Sequence, residues 1–140
     1  EFGVDYEVLL ASAHRTPAAV REFVTTAGER GIGAFVVGAG MAAHLPGVVA
    51  SYTTLPVIGV PLESGSLQGM DALLAIVQMP SGIPVATVAI NGAKNAALLA
   101  VQIGAVSDAE LAKKYKAYRE NMANEVMAKN QKLQEDVKAL

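Results

Sequence analysis

An α/β fold, with a parallel sheet covered by helices on both faces, is what this chain predicts, and three observations predict it. Short apolar runs alternate with segments of about 10 to 15 residues that read as helices, the pattern of right-handed βαβ crossovers. From Ile32 to Gly92 only Glu63 and Asp71 carry charge. So few charges cannot solvate both faces of an isolated small domain, so that stretch is buried under helices or in subunit contacts. Finally, 140 residues suffice for one domain with a proper core.

Val4 to Leu10 reads as a strand, and Thr16-Pro17 opens a helix running to about Arg30, with Pro17 suited to a first helical turn. Ala34 to Val37 is the next strand, followed by a helix over Ala42 to Thr53 that is entered or interrupted at Pro46. Val57 to Val60, Gln68 to Gln78, Val85 to Ile90 and Ala93 to Val106 continue as strand, helix, strand and helix. The domain is placed at residues 1–106 and a helical extension at 107–140. In that extension Ser107 or Asp108 can cap the first turn, with Glu110 complementing the helix dipole. Apolar residues then recur mostly every three or four positions, at Leu111, Tyr115, Tyr118, Met122, Val126, Leu133 and Val137. A helix from Asp108 to Leu133 would span roughly 40 Å, about the width of such a domain. It should overhang its own subunit and pack on a neighbour.

The remaining composition works by exclusion. A net charge of −2 leaves no electrostatic footprint for nucleic acid. Zero cysteines rule out disulfides, thiolate metal sites and a cysteine nucleophile. No apolar run is long enough to span a membrane. Neither GxGxxG nor GxxxxGK[ST] occurs, so neither the dinucleotide fingerprint nor the P-loop is supported.

The chemistry concentrates in two loops. The chain's 2 histidines, His14 and His44, both lie just past apolar runs. In an open parallel sheet the ligand crevice lies at the carboxyl ends of the strands. His14 stands in Ala11-Ser12-Ala13-His14-Arg15-Thr16-Pro17, and His44 in Gly38-Ala39-Gly40-Met41-Ala42-Ala43-His44-Leu45-Pro46-Gly47. Glycines there let backbone approach a ligand, and histidine exchanges protons near neutral pH. Glu63-Ser64-Gly65-Ser66 is a polar loop read equally well as a ligand contact or as a turn leading into a helix. Asp71 reads as a helix-dipole residue, and Met79 as packing.

The segments at 12–17 and 38–47 resemble the two signature loops of the bacterial-type PurE family, the N5-carboxyaminoimidazole ribonucleotide mutases of purine biosynthesis. Further similar stretches are Leu55-Pro56-Val57-Ile58-Gly59-Val60-Pro61, the run from Ile76 to Ile90, and Asn95-Ala96-Ala97-Leu98-Leu99-Ala100. The likeness keeps its order from about Phe2 to Ile103. It implies a flavodoxin-like, doubly wound three-layer αβα sandwich and a cytoplasmic homo-oligomer, an octamer, with C-terminal helices crossing subunit boundaries. It implies no cofactor and no metal, and the partners are a ribonucleotide and carbon dioxide.

Site roles follow from the same resemblance. His14 matches the catalytic histidine that gives and then retakes a proton, and His44 the second histidine lining the pocket. Ser12, Ala13 and Arg15 are expected at the substrate, Ser12 and Arg15 toward its phosphate. Ala39, Gly40 and Met41 are expected to offer backbone amides to the migrating carboxylate, and Leu45 with Met41 to exclude water from carbon dioxide. Two alternatives stand beside the mutase: a carboxylase acting on aminoimidazole ribonucleotide with carbon dioxide, and an inactive chain that still assembles. Two departures are expected to matter. Family members carry a further βα unit before the segment matching Glu1, with a Gly-Ser-x-Ser-Asp loop that helps hold phosphate and ribose. Met41 stands where many members have glycine.

Overall fold

The computed structural model describes residues 1–139. After an extended segment come α1 (Pro17–Thr25), a single 3-10 turn (Gly28–Arg30), β1 (Phe35–Gly40), α2 (Leu45–Tyr52) and β2 (Val57–Leu62). Then follow α3 (Met70–Val77), β3 (Ala86–Thr87), α4 (Ala93–Ala105) and α5 (Ala109–Lys138). The strands form one parallel sheet in the order β1-β2-β3.

Two layers of helix cover the sheet, and β2 shows why. Val57 packs with Val20 and Val24 of α1 and Val49 and Ala50 of α2, whereas Ile58 and Val60 pack with Ala96 of α4. Such a strand needs apolar residues on both faces, which explains its nearly unbroken apolar run. Gly59 serves close approach: a Cβ there would stand 2.4 Å from Ile76 Cγ2 and 3.0 Å from Val85 Cγ1. The sheet therefore has helices on both faces, the three-layer α/β sandwich that the sequence predicts.

Val4 to Leu10 is a correction: it forms no strand. Tyr6, Val8 and Leu10 are 84%, 82% and 99% exposed, so the run does not enter the core. A cavity of about 970 Å³ separates it from β1, between Val20, Phe23 and Val24 on one side and Ala97, Ala100 and Val101 on the other. A strand needs a neighbour at ladder distance, about 4.8 Å, and here the cavity lies between. The segment is tethered instead by Arg30, whose Nε donates to Glu7 Oε2 at 2.9 Å while its guanidinium lies 4.7 Å over the Phe23 ring.

The expected strand Val85–Ile90 shortens to Ala86–Thr87, beside Ile58 and Gly59. Pro61 of β2 has no N–H to continue the ladder, so two isolated bonds carry the line onward. Val88 N donates to Gly59 O (3.1 Å) and Asn91 N to Pro61 O (2.8 Å).

Helix boundaries also shift for local reasons. The first helix stops at Thr25, short of Arg30. Thr25 Oγ1 donates back to Arg21 O and Thr26 Oγ1 to Glu22 O, both at 2.8 Å, which competes with helical continuation. α3 begins at Met70, two residues later than expected, because Gln68 and Gly69 have φ of +52° and +87°. α5 is longer than predicted. Asp108 caps it, its carboxylate accepting from Leu111 N at 2.9 Å. Its 30 residues make about 45 Å, and none is buried. Its first turns meet Phe2, whose ring lies 5.4 Å from that of Tyr118 and whose carbonyl accepts from Lys114 Nζ at 3.0 Å. Beyond them Met122, Val126, Met127, Leu133 and Val137 stand exposed.

Candidate active site

Three loops gather at the carboxyl ends of the strands or beside them. The first is the turn Ser12–Thr16. Ser12 Oγ accepts from His14 N (3.3 Å) and Arg15 N (3.2 Å), while Thr16 N donates to Ser12 O (2.9 Å) and Ser12 N to Thr16 Oγ1 (2.8 Å). This mutual capping is why the pattern Ser-x-x-x-Thr before Pro17 makes a tight turn. It fixes where His14 and Arg15 leave the backbone. The serine oxygen is committed to the turn, yet its own O–H stays available to donate. Arg15 is exposed and makes no side-chain bond to a described residue.

The second loop leaves β1. Ala39 and Gly40 lie in β1, in register with Pro61 and Leu62. Met41 follows at φ +53°, the left-handed region. Ala43 N then donates to Met41 O and His44 N to Ala42 O, both at 2.8 Å. His44 becomes the residue preceding α2, and its carbonyl accepts from Val48 N at 2.9 Å. The helix thus starts at Leu45 and not Ala42, with Pro46 in its first turn. Leu45 is half-buried against the α1–β1 core, whereas Met41 is 58% exposed. Of the two expected apolar screens, Met41 is the more exposed.

The two histidines meet. His14 Nε2 lies 2.9 Å from His44 Nδ1, with ring planes at 73°. This contact joins residues 30 positions apart. A single proton can occupy it, donated by one ring and accepted by the other. Neither His14 Nδ1 nor His44 Nε2 bonds another described residue, and both imidazoles are exposed. In the neutral pair one outer nitrogen carries a proton and the other is bare. Shifting the bridging proton, with loss and gain at the ends, exchanges the two. The arrangement can give a proton at one point and take one at another.

Met41 sits in a conformation that costs a non-glycine residue roughly 1–2 kcal/mol. Met41→Gly is therefore expected to raise stability. The gain should stay at or below about 1 kcal/mol, because glycine also loses more backbone entropy on folding; thermal denaturation checks it.

The third loop, Glu63–Gly65, follows β2. The sequence around it fits a ligand contact and a turn equally well and shows nothing that would hold it. Glu63 N donates to Asn91 Oδ1 and Asn91 Nδ2 to Glu63 Oε2, each at 3.0 Å. Asn91 reaches this position at φ +59°, which asparagine tolerates better than most residues. Met79 is packing, as expected: its Sδ would lie 3.1 Å from a Cβ at Gly47. Asp71 stands in the first turn of α3. Among the described residues no three histidines or carboxylates converge as metal ligands, and no helix is long and apolar enough to cross a membrane.

Residues 1–125 match the AIR carboxylase family. An N5-carboxyaminoimidazole ribonucleotide mutase of Thermotoga maritima is 56% identical over 135 residues, 96% of this chain and 79% of that protein. One from Saccharolobus solfataricus is 57% identical over 128 residues, 91% and 81% of the two chains. A phosphoribosylaminoimidazole carboxylase of Candida albicans is 50% identical over 135 residues, covering 96% of this chain but 24% of that protein. Among solved structures, the PurE of Treponema denticola superposes with a TM-score of 0.83 at 32% identity, over 94% of this chain and 82% of that one.

Proposed function

Because the chain belongs to the AIR carboxylase family, we propose that it is an isomerase that moves a carboxylate within a ribonucleotide. N5-carboxyaminoimidazole ribonucleotide loses the carboxylate from its exocyclic nitrogen and regains it on the adjacent ring carbon. The product is 4-carboxy-5-aminoimidazole ribonucleotide, in purine biosynthesis. The observation that carries this reading is the 2.9 Å contact between His14 and His44.

The reaction needs a proton placed and later removed. His14 gives a proton to the carbamate nitrogen, the N–C bond breaks, and carbon dioxide is freed. The enamine-like ring carbon attacks that carbon dioxide. The hydrogen on this carbon then returns to His14 as a proton, restoring aromaticity, so the net change is an isomerisation. A group that acts both ways works best when it is neither fully protonated nor fully bare. The pair meets this need through its bridging proton, with His44 orienting and recharging His14. Backbone at Ala39, Gly40 and Met41 borders the carboxylate, with Ala13 on the opposite turn. Ser12 and Arg15 face the phosphate, and Leu45 and Met41 screen carbon dioxide from water.

A phosphate also needs more donors than one arginine and one hydroxyl, and helix N-termini supply them. The cavity between Val4–Ala11 and β1 supports the reading that a further parallel strand, leading into a phosphate loop, belongs there. The exposed apolar residues of α5 support assembly into a homo-oligomer, for which we propose an octamer in the cytoplasm. Deleting Asp108 to Leu140 is expected to lower the mass found by light scattering while helical circular dichroism from the domain persists. An unchanged assembly would refute that role for α5.

The alternative, direct carboxylation with dissolved carbon dioxide, is not favoured, because the relatives matched over most of both chains are mutases and the carboxylase is matched over 24% of its length. Turnover of the N5-carboxylated ribonucleotide by full-length protein in labelled carbon dioxide separates the two. The mutase delivers mostly unlabelled product without ATP. Product carrying the label of the medium from the first turnover would favour the carboxylase.

A further inference from the structure

Among the described residues a single buried side-chain oxygen or nitrogen lacks a hydrogen-bond partner: Ser64 Oγ. It is packed behind the second site loop, where a Cβ on Gly40 would stand 2.5 Å from it. A buried hydroxyl without a partner is unfavourable, and native structures rarely keep one without a reason. The residue itself is only half-buried, although its oxygen is shielded. One staggered position of its side chain faces Gly40, and a rotation of about 120° to another carries the oxygen elsewhere.

The surroundings hold the backbone of this loop while leaving the hydroxyl free. Asn91 clamps Glu63 through two bonds on one side. On the other, Met41 lies over Gly65, its Cγ 3.7 Å from where a Cβ there would be. Leu62, two residues earlier, is in register with Gly40, so Ser64 emerges at the same end of the sheet as the glycine loop. The exposed Met41 side chain lies between the two loops.

We propose that Ser64 is a ligand-binding residue of the mutase site. Its hydroxyl turns out from behind Gly40 and donates to an oxygen of the migrating carboxylate. An ionised carboxylate accepts only, and a charge-assisted bond to it is stronger than one between neutral groups. The turn also ends the unpartnered state of the free protein. The inference rests on the mutase reading and adds a third loop to the two that carry the histidines.

The test compares Ser64→Ala with unaltered full-length protein in titration calorimetry against two probes. These are 4-carboxy-5-aminoimidazole ribonucleotide and aminoimidazole ribonucleotide, which lacks the carboxylate. The variant should bind the first about ten- to a hundredfold more weakly, the range for a hydrogen bond to a charged group, and the second equally well. Its melting temperature should not fall, since alanine removes an unpartnered hydroxyl. Equal affinity for the carboxylated probe would overturn the proposal, as would equal weakening for both probes or a lowered melting temperature that accounts for the loss. If the unaltered protein binds neither ribonucleotide, the mutase reading itself fails and takes this inference with it.

Discussion

His14→Asn is expected to lower turnover by about 10²–10⁴-fold, the usual contribution of a positioned acid or base, while ribonucleotide binding persists. Asparagine keeps a polar group of similar reach but cannot carry a proton between the two steps. The backbone of the turn should survive, because Ser12 and Thr16 hold it and not the imidazole. Binding should therefore be measured beside turnover, by calorimetry and by product formation. His44→Asn should cost less, since it removes the partner at 2.9 Å but leaves the group that meets the substrate. Near-normal turnover in His14→Asn with an inert His44→Asn would reverse the two roles.

Gly59→Ala is expected to give the largest loss of stability from a single added methyl group. The new Cβ would lie 2.4 Å from Ile76 Cγ2, 3.0 Å from Val85 Cγ1 and 3.4 Å from Pro46 Cβ. Ile76 is fully buried, so its side chain has nowhere to go. Overpacking of this kind costs about 1–3 kcal/mol, against roughly 0.4–1 kcal/mol gained by restricting the unfolded chain, so the clash wins. Chemical denaturation should show a lower midpoint. Ile76→Ala placed in the same chain should make the glycine substitution clearly less costly, because it removes the atom struck hardest while Val85 stays close. A Gly59→Ala protein as stable as the original would show that β2 and α3 do not pack at this distance.

What could be read from the residues was what depends on local pattern. Pro17, Pro46 and Asp108 announce helix starts, and the charge-poor run from Ile32 to Gly92 announces a covered sheet. The placement of His14 and His44 after apolar runs points to a site by itself, without their contact. What could not be read depends on partners far along the chain. Val4–Leu10 carries a strand's composition, but pairing requires a neighbour at ladder distance, and composition does not supply one. The clamp of Asn91 on Glu63 spans 28 positions and leaves no periodic trace. Ser64 looks like any serine of a helix-leading turn until its oxygen is found behind Gly40. The left-handed backbone at Met41 is hidden too, since methionine gives no hint of it.

The central claim is that His14 and His44 work as one proton-carrying unit. A double-mutant cycle on kcat/KM, with His14→Asn, His44→Asn and both together, tests it most directly. If the pair acts as a unit, the double variant should be no slower than His14→Asn alone, because residues that act as a unit are strongly non-additive. Losses that multiply, as independent sites require, would contradict the account.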